Sequence, residues 1–476
     1  PLYSSAASDV YKRQVYTNSN LQQQQQPNGS HKQPLPIAVA RRVTPSSLAE
    51  CGARLRAGDL VAFPTETVFG LGCHALDPNA VQKVFDAKER PLTDPLIVHV
   101  AKAEDALVLW DQQQQEQPIN HEGMISKIEI LEILCQAFWP GPLTLVAKAA
   151  PHVPSILMAG TGFVACRCPS HPLAQALIQH AQVPIAAPSA NKFGHVSPTQ
   201  PDHVMDDLGQ EDVWILAEDE VDEESNNNDN TSQPRDKISC QVGVESTVAK
   251  LEELSVHNKD NHQYALTILR QGAISVQDLQ LALQKAGISE NIVSVATLST
   301  RMVEETEATV APGQLIKHYS PRIPSFLVSP TLYQNTNANG DDKDTAMMMD
   351  SFMKGSIVLD FGGRLAAWKA VARHYRDLSP SGDSAQAAQC VFEALRWAER
   401  VDDDNNNDGS NENEARPSQF IVFPQVVVAT NKNDEDVKIH QHDALTLALN
   451  DRLTRAASGV VLDSVASLHE HISMQQ

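Results

Sequence analysis

Short apolar runs alternate along the chain with segments whose apolar residues recur at helical spacing. The runs predict strands, because a buried strand needs only a short apolar stretch. They lie at 59–65, 95–100, 143–149, 163–169, 184–189, 246–251 and 265–270. The periodic segments predict helices near 46–57, 79–89, 125–138, 172–181 and 276–287. Alternating strands and helices indicate an α/β fold, a largely buried sheet with flanking helices.

A second α/β pattern follows. It consists of predicted strands at 356–361 and 420–423 and predicted helices at 387–400 and 443–457. The two patterns are separated by "APGQLIKHYSPRIP", a Pro-rich and weakly periodic stretch that predicts an ordered linker. We therefore expect a first domain at 38–290, a linker or lid at 291–325 and a second α/β domain at 326–476.

Polar low-complexity segments interrupt both patterns. A Gln-rich stretch lies in residues 1–37, and Asn-rich or acidic inserts lie at 111–117, 218–236, 335–344 and 402–414. Such segments contain too few apolar residues to offset the entropy lost on ordering. We expect residues 1–37 to form a disordered tail and the inserts to form surface loops.

Composition and net charge argue against several classes of protein. The chain has 476 residues, 42% of them hydrophobic, and a net charge of −22. That charge argues against a broad nucleic-acid-binding surface, which needs clustered Lys and Arg. The sequence lacks an apolar run of membrane-spanning length, so we expect no membrane association. The seven cysteines are scattered and odd in number, which favours a reducing compartment over a disulfide framework.

Candidate chemistry clusters near the predicted strand ends, where α/β folds place their ligand sites. Hydroxyls, cations and glycines recur there. The segments are "FPTETVFGLG" (63–72), "KERPLTDPLIVHV" (88–100), "CRCPSHP" (166–172), "APSANKFGHVSPT" (187–199), "GVESTV" (243–248) and "LRQG" (269–272).

Taken one at a time, these residues leave alternatives open. Lys88 and Arg90 suit the end of a helix, whose dipole is negative there, but they could also bind an anion. Arg167 lies in an apolar strand, so it pairs either with an internal acid or with an anionic ligand. His99 is either a core histidine or a ligand contact.

The ordered series of segments resembles the YrdC-type domain of threonylcarbamoyl-AMP synthases. The resemblance rests on "PTETVFGLG", "KERPLTDPLIVHV", "FWPGPLTLV", "VACRCPSHP", "PSANKFGHVSPT", "GVESTV" and "ILRQGAIS" and covers about residues 38 to 290. "PGQLIKHYSPRIP" and the second α/β pattern resemble the linker and the C-terminal domain of two-domain members. The resemblance implies a YrdC-like twisted open sheet with flanking helices, followed by a smaller Rossmann-like α/β domain.

The resemblance also implies a reaction. Threonine, bicarbonate and ATP would give threonylcarbamoyl-AMP and diphosphate, which makes the protein a nucleotidyltransferase. A separate threonylcarbamoyl transferase complex would then modify tRNA next to the anticodon, so tRNA is only an indirect partner. Mg²⁺ is expected to arrive with ATP, since no carboxylate cage is visible in the sequence.

Roles for individual residues follow from the same resemblance. Lys88 and Arg90 are implied as the catalytic cations. The threonine site is implied to comprise Thr67, His99, Arg167 and Ser246. The nucleotide site is implied to comprise Arg90, Asp94, Ala187, Ser189, Asn191, Arg270 and Tyr319.

Two other classes stay open at this point. YrdC-like folds have been considered RNA-binding modules, so the chain could bind structured RNA without catalysis. A carbamoyltransferase that uses carbamoyl phosphate would carry zinc-finger or kinase-like domains, and we find neither pattern. We expect a cytoplasmic protein, with mitochondrial targeting left open because the sequence begins at Pro1.

Overall fold

The apolar runs of the first half of the chain form one mixed sheet. In the residues described it has eleven strands: β1 (Val39–Arg42), β2 (Leu60–Phe63), β3 (Gly70–His74), β4 (Ile97–His99), β5 (Leu143–Lys148), β6 (Phe163–Arg167), β7 (Ile185–Ala186), β8 (Val213–Ala217), β9 (Thr247–Glu253), β10 (Tyr264–Arg270) and β11 (Val293–Thr297). Their order is β1-β8-β2-β3-β7-β4-β6-β5-β9-β10-β11. We call residues 39–298 the N-terminal lobe.

The computed structural model describes most of the chain outside the polar segments. The described residues are 39–42, 45–112, 125–217, 240–254, 263–298, 308–312, 319–335, 343–406, 420–426, 443–464 and 466–467. Chain contacts group Ile37–Gln476 into one compact unit. The predicted tail at 1–37 and most of the predicted inserts lie outside the described residues. No helix in the described part of the chain is long and apolar enough to cross a membrane.

Helices of the N-terminal lobe begin at sequence signals typical of helix starts. They are α1 (Pro45–Arg56), α2 (Pro78–Lys88), α3 (Ala103–Leu107), α4 (Lys127–Phe138), α5 (Pro172–Ala181), α6 (Pro201–Leu208) and α7 (Val276–Lys285). Ser126 with Glu129 forms a capping box at the start of α4, and Ser275 with Asp278 forms another at the start of α7. Each box satisfies backbone N–H groups that the first helical turn leaves unpaired.

The second half of the chain forms a smaller, parallel sheet. Its strands are β12 (Ser325–Val328), β13 (Ser356–Asp360), β14 (His374–Asp377), β15 (Phe420–Pro424) and β16 (Val461–Leu462), in the order β14-β13-β15-β12-β16. The helices are α8 (Pro330–Asn335), α9 (Lys343–Met353), α10 (Ser384–Asn406) and α11 (Ala444–Ala456). We call residues 325–462 the C-terminal lobe.

These two layered α/β lobes confirm the predicted fold class. All strands and helices predicted from the apolar pattern are present. The structure adds elements that the pattern did not predict: β1, β3, β8, β11, β12, β14, β16, α3, α6, α8 and α9. The domain boundaries stay a prediction, although β11 begins after the boundary proposed at 290 and pairs with β10 in the first sheet.

Three local predictions need correction. Helix α2 ends at Lys88, one residue before the predicted end at 89, because Glu89 adopts a left-handed conformation with φ of 55°. The N–H of Arg90 then donates to the Phe85 carbonyl at 3.0 Å, which closes the helix end. Helix α9 begins at Lys343 and α10 ends at Asn406, so each helix extends into a segment predicted to be a loop.

An apolar cluster joins the two lobes. Val68, Val196 and Val244 of the N-terminal lobe pack in the same buried cluster as Phe392 of α10 and Leu449 of α11. Burial of apolar surface is the main favourable term in such a contact. The cluster therefore fixes the C-terminal helices against the segments that contain Thr67, Ser197 and Glu245.

Candidate active site

A pocket opens where several strands of the first sheet end. It contains about 490 Å³ of space between protein atoms, including space open to solvent. Its lining residues come from distant parts of the sequence: Thr65, Thr67, Val68, Gly70, Arg90, Ile97, His99, Arg167, Ala187, Pro188, Ser189, Glu245, Arg270, Pro312 and Tyr319.

Sheet pairing explains why these residues meet. Strands β4 and β6 are parallel, and their last residues, His99 and Arg167, are register partners. The backbone N–H of Ala187, just after β7, donates to the Ile97 carbonyl at 2.9 Å. Arg270 is the last residue of β10. Side chains at the ends of neighbouring strands thus face one cleft, as in other α/β folds.

Arg167 forms a buried ion pair and still faces the pocket. Its Nη2 lies 2.6 Å from Glu66 Oε1, and its Nη1 donates to Thr67 Oγ1 at 2.9 Å. Burial alone would raise the pKa of Glu66, but the adjacent Arg167 lowers it below its usual value. With the Nε bond to the Gly141 carbonyl, three of the five guanidinium N–H groups have partners among the described residues. Two remain for an anionic ligand, so the two alternatives left open for Arg167 are compatible.

Arg90 is buried beside an equally buried acid. Its Nη2 lies 2.9 Å from Asp94 Oδ2, and it donates to the backbone carbonyls of Asp94 and Pro95. Burial lowers the pKa of Arg90 and raises that of Asp94, while each charge opposes the shift of the other. Arg90 is therefore not a helix cap, and its guanidinium is fixed at the pocket wall.

The Lys88 ammonium points toward a backbone loop and not into the pocket. Its Nζ donates to the carbonyls of Ser189 and Asn191. Burial, reinforced by the positive charge of Arg90, lowers the pKa of Lys88 well below its ordinary value. Lys88 thus orders the loop that carries Ser189, and Ser189 lines the pocket.

Arg270 differs from the other two pocket arginines in its partners. Its Nε and Nη2 donate to the Ser246 carbonyl, Nη2 also donates to Ser246 Oγ, and Nη1 donates to the Pro312 carbonyl. Ser246 Oγ in turn shares a hydrogen bond of 2.7 Å with Thr144 Oγ1. Among the described residues these oxygens are uncharged, so Arg270 brings a positive charge to the pocket that no adjoining acid in contact with it neutralises.

His99 is neutral in this environment. Burial and the nearby charge of Arg167 lower its pKa to about 3. Its ring lies edge-on to Phe63 at 6.1 Å, and its Nδ1 has no hydrogen-bond partner among the described residues. A neutral imidazole with one free nitrogen can bind a hydroxyl or an amine.

The C-terminal lobe supports the pocket from behind its lining. Tyr319, a lining residue within the predicted linker, has a φ of 62° and packs against Phe392 of α10 with ring centroids 5.5 Å apart. Glu245 lines the pocket and accepts hydrogen bonds from Ser197 Oγ at 2.6 Å and from Arg452 Nε of α11 at 2.9 Å. Helices α10 and α11 of the C-terminal lobe thus contact two lining residues, Tyr319 and Glu245, from behind the pocket wall.

Comparison with known proteins places the chain in a family. A family model described as "Telomere recombination" matches residues 53–231, and one described as "Threonylcarbamoyl-AMP synthase, C-terminal domain" matches residues 274–458. A threonylcarbamoyl-AMP synthase of Pyrococcus abyssi is 33% identical over 285 residues, which cover 60% of this chain and 68% of that protein. The chain belongs to the threonylcarbamoyl-AMP synthase family.

Other members of the threonylcarbamoyl-AMP synthase family agree. A Bacillus subtilis synthase is 33% identical over 279 residues, covering 58% of this chain and 65% of that protein. The crystal structure of Pyrococcus abyssi Sua5 complexed with L-threonine superimposes with a TM-score of 0.61 at 27% identity, covering 90% of this chain and 99% of that one. The match therefore extends over both lobes.

The structure brings together eight of the residues predicted for a threonylcarbamoyl-AMP synthase site. Those that line the pocket are Thr67, Arg90, His99, Arg167, Ala187, Ser189, Arg270 and Tyr319. The remaining four, Lys88, Asp94, Asn191 and Ser246, lie behind the lining, where Lys88, Asp94 and Ser246 hydrogen-bond or pair with residues of it. Asn191 donates instead to the carbonyls of Lys192 and His195.

Glu245 and Arg452 are not among the site residues predicted from the sequence. Glu245 lies inside "GVESTV", where Ser246 was preferred because the family resemblance pointed to it. Arg452 lies in the helix "ALTLALNDRLTRA", and a basic residue in an amphipathic helix usually faces solvent. Only the packing of the two lobes shows that its side chain is fully buried.

Within the described residues, no three His, Cys, Asp or Glu side chains converge in a way that could hold a metal ion. Near the pocket, both oxygens of Glu245 are bonded, and Glu66 leaves Oε2 without a hydrogen-bond partner among the described residues. These donors fit a metal that is held mainly by a ligand's phosphates.

Proposed function

We propose that this chain is an L-threonylcarbamoyladenylate synthase, a nucleotidyltransferase that converts L-threonine, bicarbonate and ATP to threonylcarbamoyl-AMP and diphosphate. The observation that carries the proposal is a single pocket, in a member of this family, where buried arginines meet threonine hydroxyls and a neutral histidine. Positive groups suit a triphosphate, and the smaller polar groups suit an amino acid.

The threonine end of the pocket is assigned to the side chains around Arg167. The two unused N–H groups of Arg167 are suited to the threonine carboxylate, since a guanidinium and a carboxylate match in geometry. Thr67 and neutral His99 offer groups that can bind the threonine hydroxyl or amine. Ser246 acts behind them, through Arg270 and Thr144.

The nucleotide end is assigned to Arg90, Arg270 and Tyr319. Arg90 and Arg270 would neutralise phosphate oxygens. Ala187 and Ser189 would contact the nucleotide at the loop, which Lys88 and Asn191 hold in place, while Asp94 fixes Arg90. The catalytic role proposed for Lys88 is thus exerted through the loop that its ammonium binds.

The reaction requires positioning more than covalent catalysis. The threonine amine and bicarbonate form a carbamate with loss of water. A carbamate oxygen then attacks the α-phosphorus of ATP, the bond to the bridging oxygen breaks, and diphosphate leaves. Phosphoryl chemistry of this kind is accelerated mainly by alignment and by neutralised charge. Mg²⁺ bound to the phosphates would supply further neutralisation and would be held mainly by those phosphates.

The proposal also has consequences outside this chain. The product is a labile mixed anhydride, so a separate threonylcarbamoyl transferase complex must consume it and modify tRNA next to the anticodon. Direct tRNA binding is not required. The cytoplasm remains our prediction for the location of the enzyme.

The test is an assay of diphosphate release from ATP by the full chain. We expect release only when threonine and bicarbonate are both present, together with a product whose mass is that of threonylcarbamoyl-AMP. Release without threonine would indicate a different adenylating enzyme. Binding of structured RNA with no release would favour the non-catalytic alternative, and consumption of carbamoyl phosphate would favour a carbamoyltransferase.

A further inference from the structure

Arg452 of α11 reaches from the C-terminal lobe to the wall of the pocket. Its side chain is completely buried. Nε donates to Glu245 Oε2 at 2.9 Å, Nη2 donates to the Gln271 carbonyl at 2.9 Å, and the guanidinium carbon lies 5.3 Å from the centre of the Tyr319 ring. Arg452 thus contacts two pocket-lining residues and the neighbour of a third, Arg270, without lining the pocket itself.

We propose that Arg452 is a positioning residue for ATP: it neutralises Glu245 and supports Tyr319, so that the nucleotide end of the pocket keeps a net positive charge. The proposal rests on the proposed function, because it assigns a role within the same site. It gives the C-terminal lobe an indirect part in substrate binding, through Glu245 and Tyr319.

Charge pairing around the pocket supports this role. Glu66 is paired with Arg167, and Asp94 is paired with Arg90. Arg270 contacts only uncharged oxygens among the described residues. Without Arg452, the buried Glu245 carboxylate would keep only the Ser197 hydroxyl as a described partner. Its charge would then repel phosphate and oppose the positive charge of Arg270.

The contacts of Tyr319 support the proposal that Arg452 holds this tyrosine in place. Its ring packs between Phe392 of α10 and the Arg452 guanidinium of α11. A guanidinium over an aromatic face is an attractive contact that strengthens away from water. The place of Tyr319 at the pocket wall therefore depends on both C-terminal helices.

The chain contains a matched control for Arg452. Arg396 of α10 is also buried, donates to the Val196 carbonyl and pairs with Asp207 of the N-terminal lobe at 3.0 Å. It contributes to the contact between the lobes, and its described partners, Val196 and Asp207, are not among the lining residues. Arg452→Met and Arg396→Met thus each remove a buried cation that pairs across the lobes. Arg452 also pairs with its neighbour Asp451 at 2.8 Å, and only its removal affects Glu245 and Tyr319.

The experiment compares the KM for ATP, the KM for threonine and direct ATP binding in the full-length variants. We expect Arg452→Met to raise both the dissociation constant of ATP and the KM for ATP about ten- to a hundredfold, as loss of a charge-assisted contact does. The KM for threonine should change by less than about threefold. Arg396→Met should change both constants by less than about threefold, since this contact acts on docking and not on the pocket charge.

A second substitution tests whether Arg452 acts by neutralising Glu245 or by supporting the structure around the pocket in general. Glu245→Gln introduced into Arg452→Met removes the carboxylate that has lost its partner. We expect the double variant to bind ATP at least about fivefold more tightly than Arg452→Met alone. If Arg452→Met fails to fold, Arg452→Gln provides the same comparison, because it keeps a donor and removes only the charge.

The outcomes are distinguishable from failure of the proposed function. Equal effects of Arg452→Met and Arg396→Met, equal rises in both KM values, or no rescue by Glu245→Gln would each overturn the role of Arg452. Absence of threonine-dependent diphosphate release by the unmodified chain would instead overturn the proposed function.

Discussion

The pocket arginines are held by different partners, and this decides what each substitution tests. Arg90 and Arg167 each pair with a buried acid, whereas Arg270 donates to carbonyl and hydroxyl oxygens in the part of the chain described. Removing Arg90 or Arg167 therefore leaves an acid without its partner. Effects on binding must be separated from effects on stability.

At Arg90, the structure changes the expected result of Arg90→Ala. The variant should lower turnover about ten- to a hundredfold through the lost phosphate contact. It should also lower the free energy of unfolding by about 3–5 kcal/mol, because Asp94 is left buried and unpaired. Denaturant unfolding and diphosphate release measure the two effects.

A second substitution separates the effect of Arg90→Ala on turnover from its effect on stability. Asp94→Asn, added to Arg90→Ala, removes the unpaired charge and should recover much of the stability. Turnover should stay low if Arg90 contacts ATP. Parallel recovery of stability and turnover would show that Arg90 is only structural.

At Arg167, the conservative change is the informative one. Arg167→Lys keeps a charge near Glu66 but loses the planar fork, so it cannot hold both the acid and a carboxylate ligand in the same way. We expect the KM for threonine to rise about tenfold or more and the KM for ATP to stay nearly constant. Steady-state kinetics with each substrate varied in turn is the measurement, and an equal rise in both constants would argue against a threonine contact.

Among the elements, α10 connects the lobes through a histidine between two acids. His195 Nδ1 lies 2.9 Å from Asp207 of α6, and its Nε2 lies 3.1 Å from Glu399 of α10. Other charged or titratable groups near this cluster are Arg396, Arg400, Arg322 and His203. Burial would lower the pKa of His195, but hydrogen bonds to the two acids raise it above its usual value.

This arrangement predicts a pH-dependent contact. A raised pKa means that the folded state binds the proton more tightly, so the stabilisation is complete below the unfolded pKa of about 6.5. It is lost as the pH rises through the higher pKa of the folded state. Asp207, whose pKa is lowered to about 2, stays ionised throughout, and His203, at about 3, stays neutral.

Urea unfolding of the unmodified chain and of His195→Gln between pH 6 and pH 9 tests this. We expect the difference in unfolding free energy to be largest at the acidic end, on the order of 1 kcal/mol or more, and to shrink as the pH rises. A difference independent of pH would mean that the imidazole does not titrate between the two acids.

Most of the strands and helices could be predicted from the sequence, but the strands that pair with one another in the sheet could not. Apolar runs such as β5 and β10 have strand-like length and composition. Strand β3, "GLGCH", contains two glycines and lacks a clear pattern, so only its pairing with β2 and β7 defines it. The linker stays a prediction, because residues 299–307 and 313–318, including His318, lie outside the described residues.

The site could be predicted where a residue lies at a strand end. His99, Arg167 and Arg270 were found in this way, and their roles stay proposals. Glu245 and Arg452 could not be predicted, since their contact spans 207 residues and depends on how two lobes pack. Periodicity gives the face of a helix but not the partner of that face.

At the scale of the whole molecule, the backbones of the two lobes approach closely at Gly243. A substitution there tests whether the pocket depends on how the lobes pack. Gly243 has a φ of 73°, and a Cβ at this position would overlap the backbone of Ala388 and Gln389 in α10. Gly243→Ala should therefore separate α10 from the N-terminal lobe and disturb the pocket. We expect a loss of at least about 3 kcal/mol in stability and a marked loss of diphosphate release.

Gly287→Ala provides the control. Gly287 has a similar φ of 81°, but a Cβ there would meet nothing within 4 Å. It should cost only the strain of a left-handed residue, about 1–2 kcal/mol, and leave activity unchanged. Thermal unfolding and activity assays of both variants measure the difference, and equal losses would show that the approach to α10 is not constrained.

Truncation of the chain to its N-terminal lobe is an indirect test of the linker as a lid. A cut at the predicted domain boundary, after Glu290, would remove β11, which pairs with β10 in the first sheet, so a cut after Leu298 is preferable. Even then, Val68, Val196 and Val244 would lose the apolar side chains of α10 and α11 that cover them. Loss of activity in a truncated chain would therefore not by itself identify the linker as a lid.

The distance along the chain between Glu245 and Arg452 has a consequence for protein synthesis. The ribosome must add another 207 residues after Glu245 before its partner exists, which takes about 10–40 s at ordinary elongation rates. The first sheet is itself completed only after β9, β10 and β11 have been made, and the cation that neutralises Glu245 follows later still. Chains released before Arg452 is added should therefore bind ATP more weakly than the complete chain.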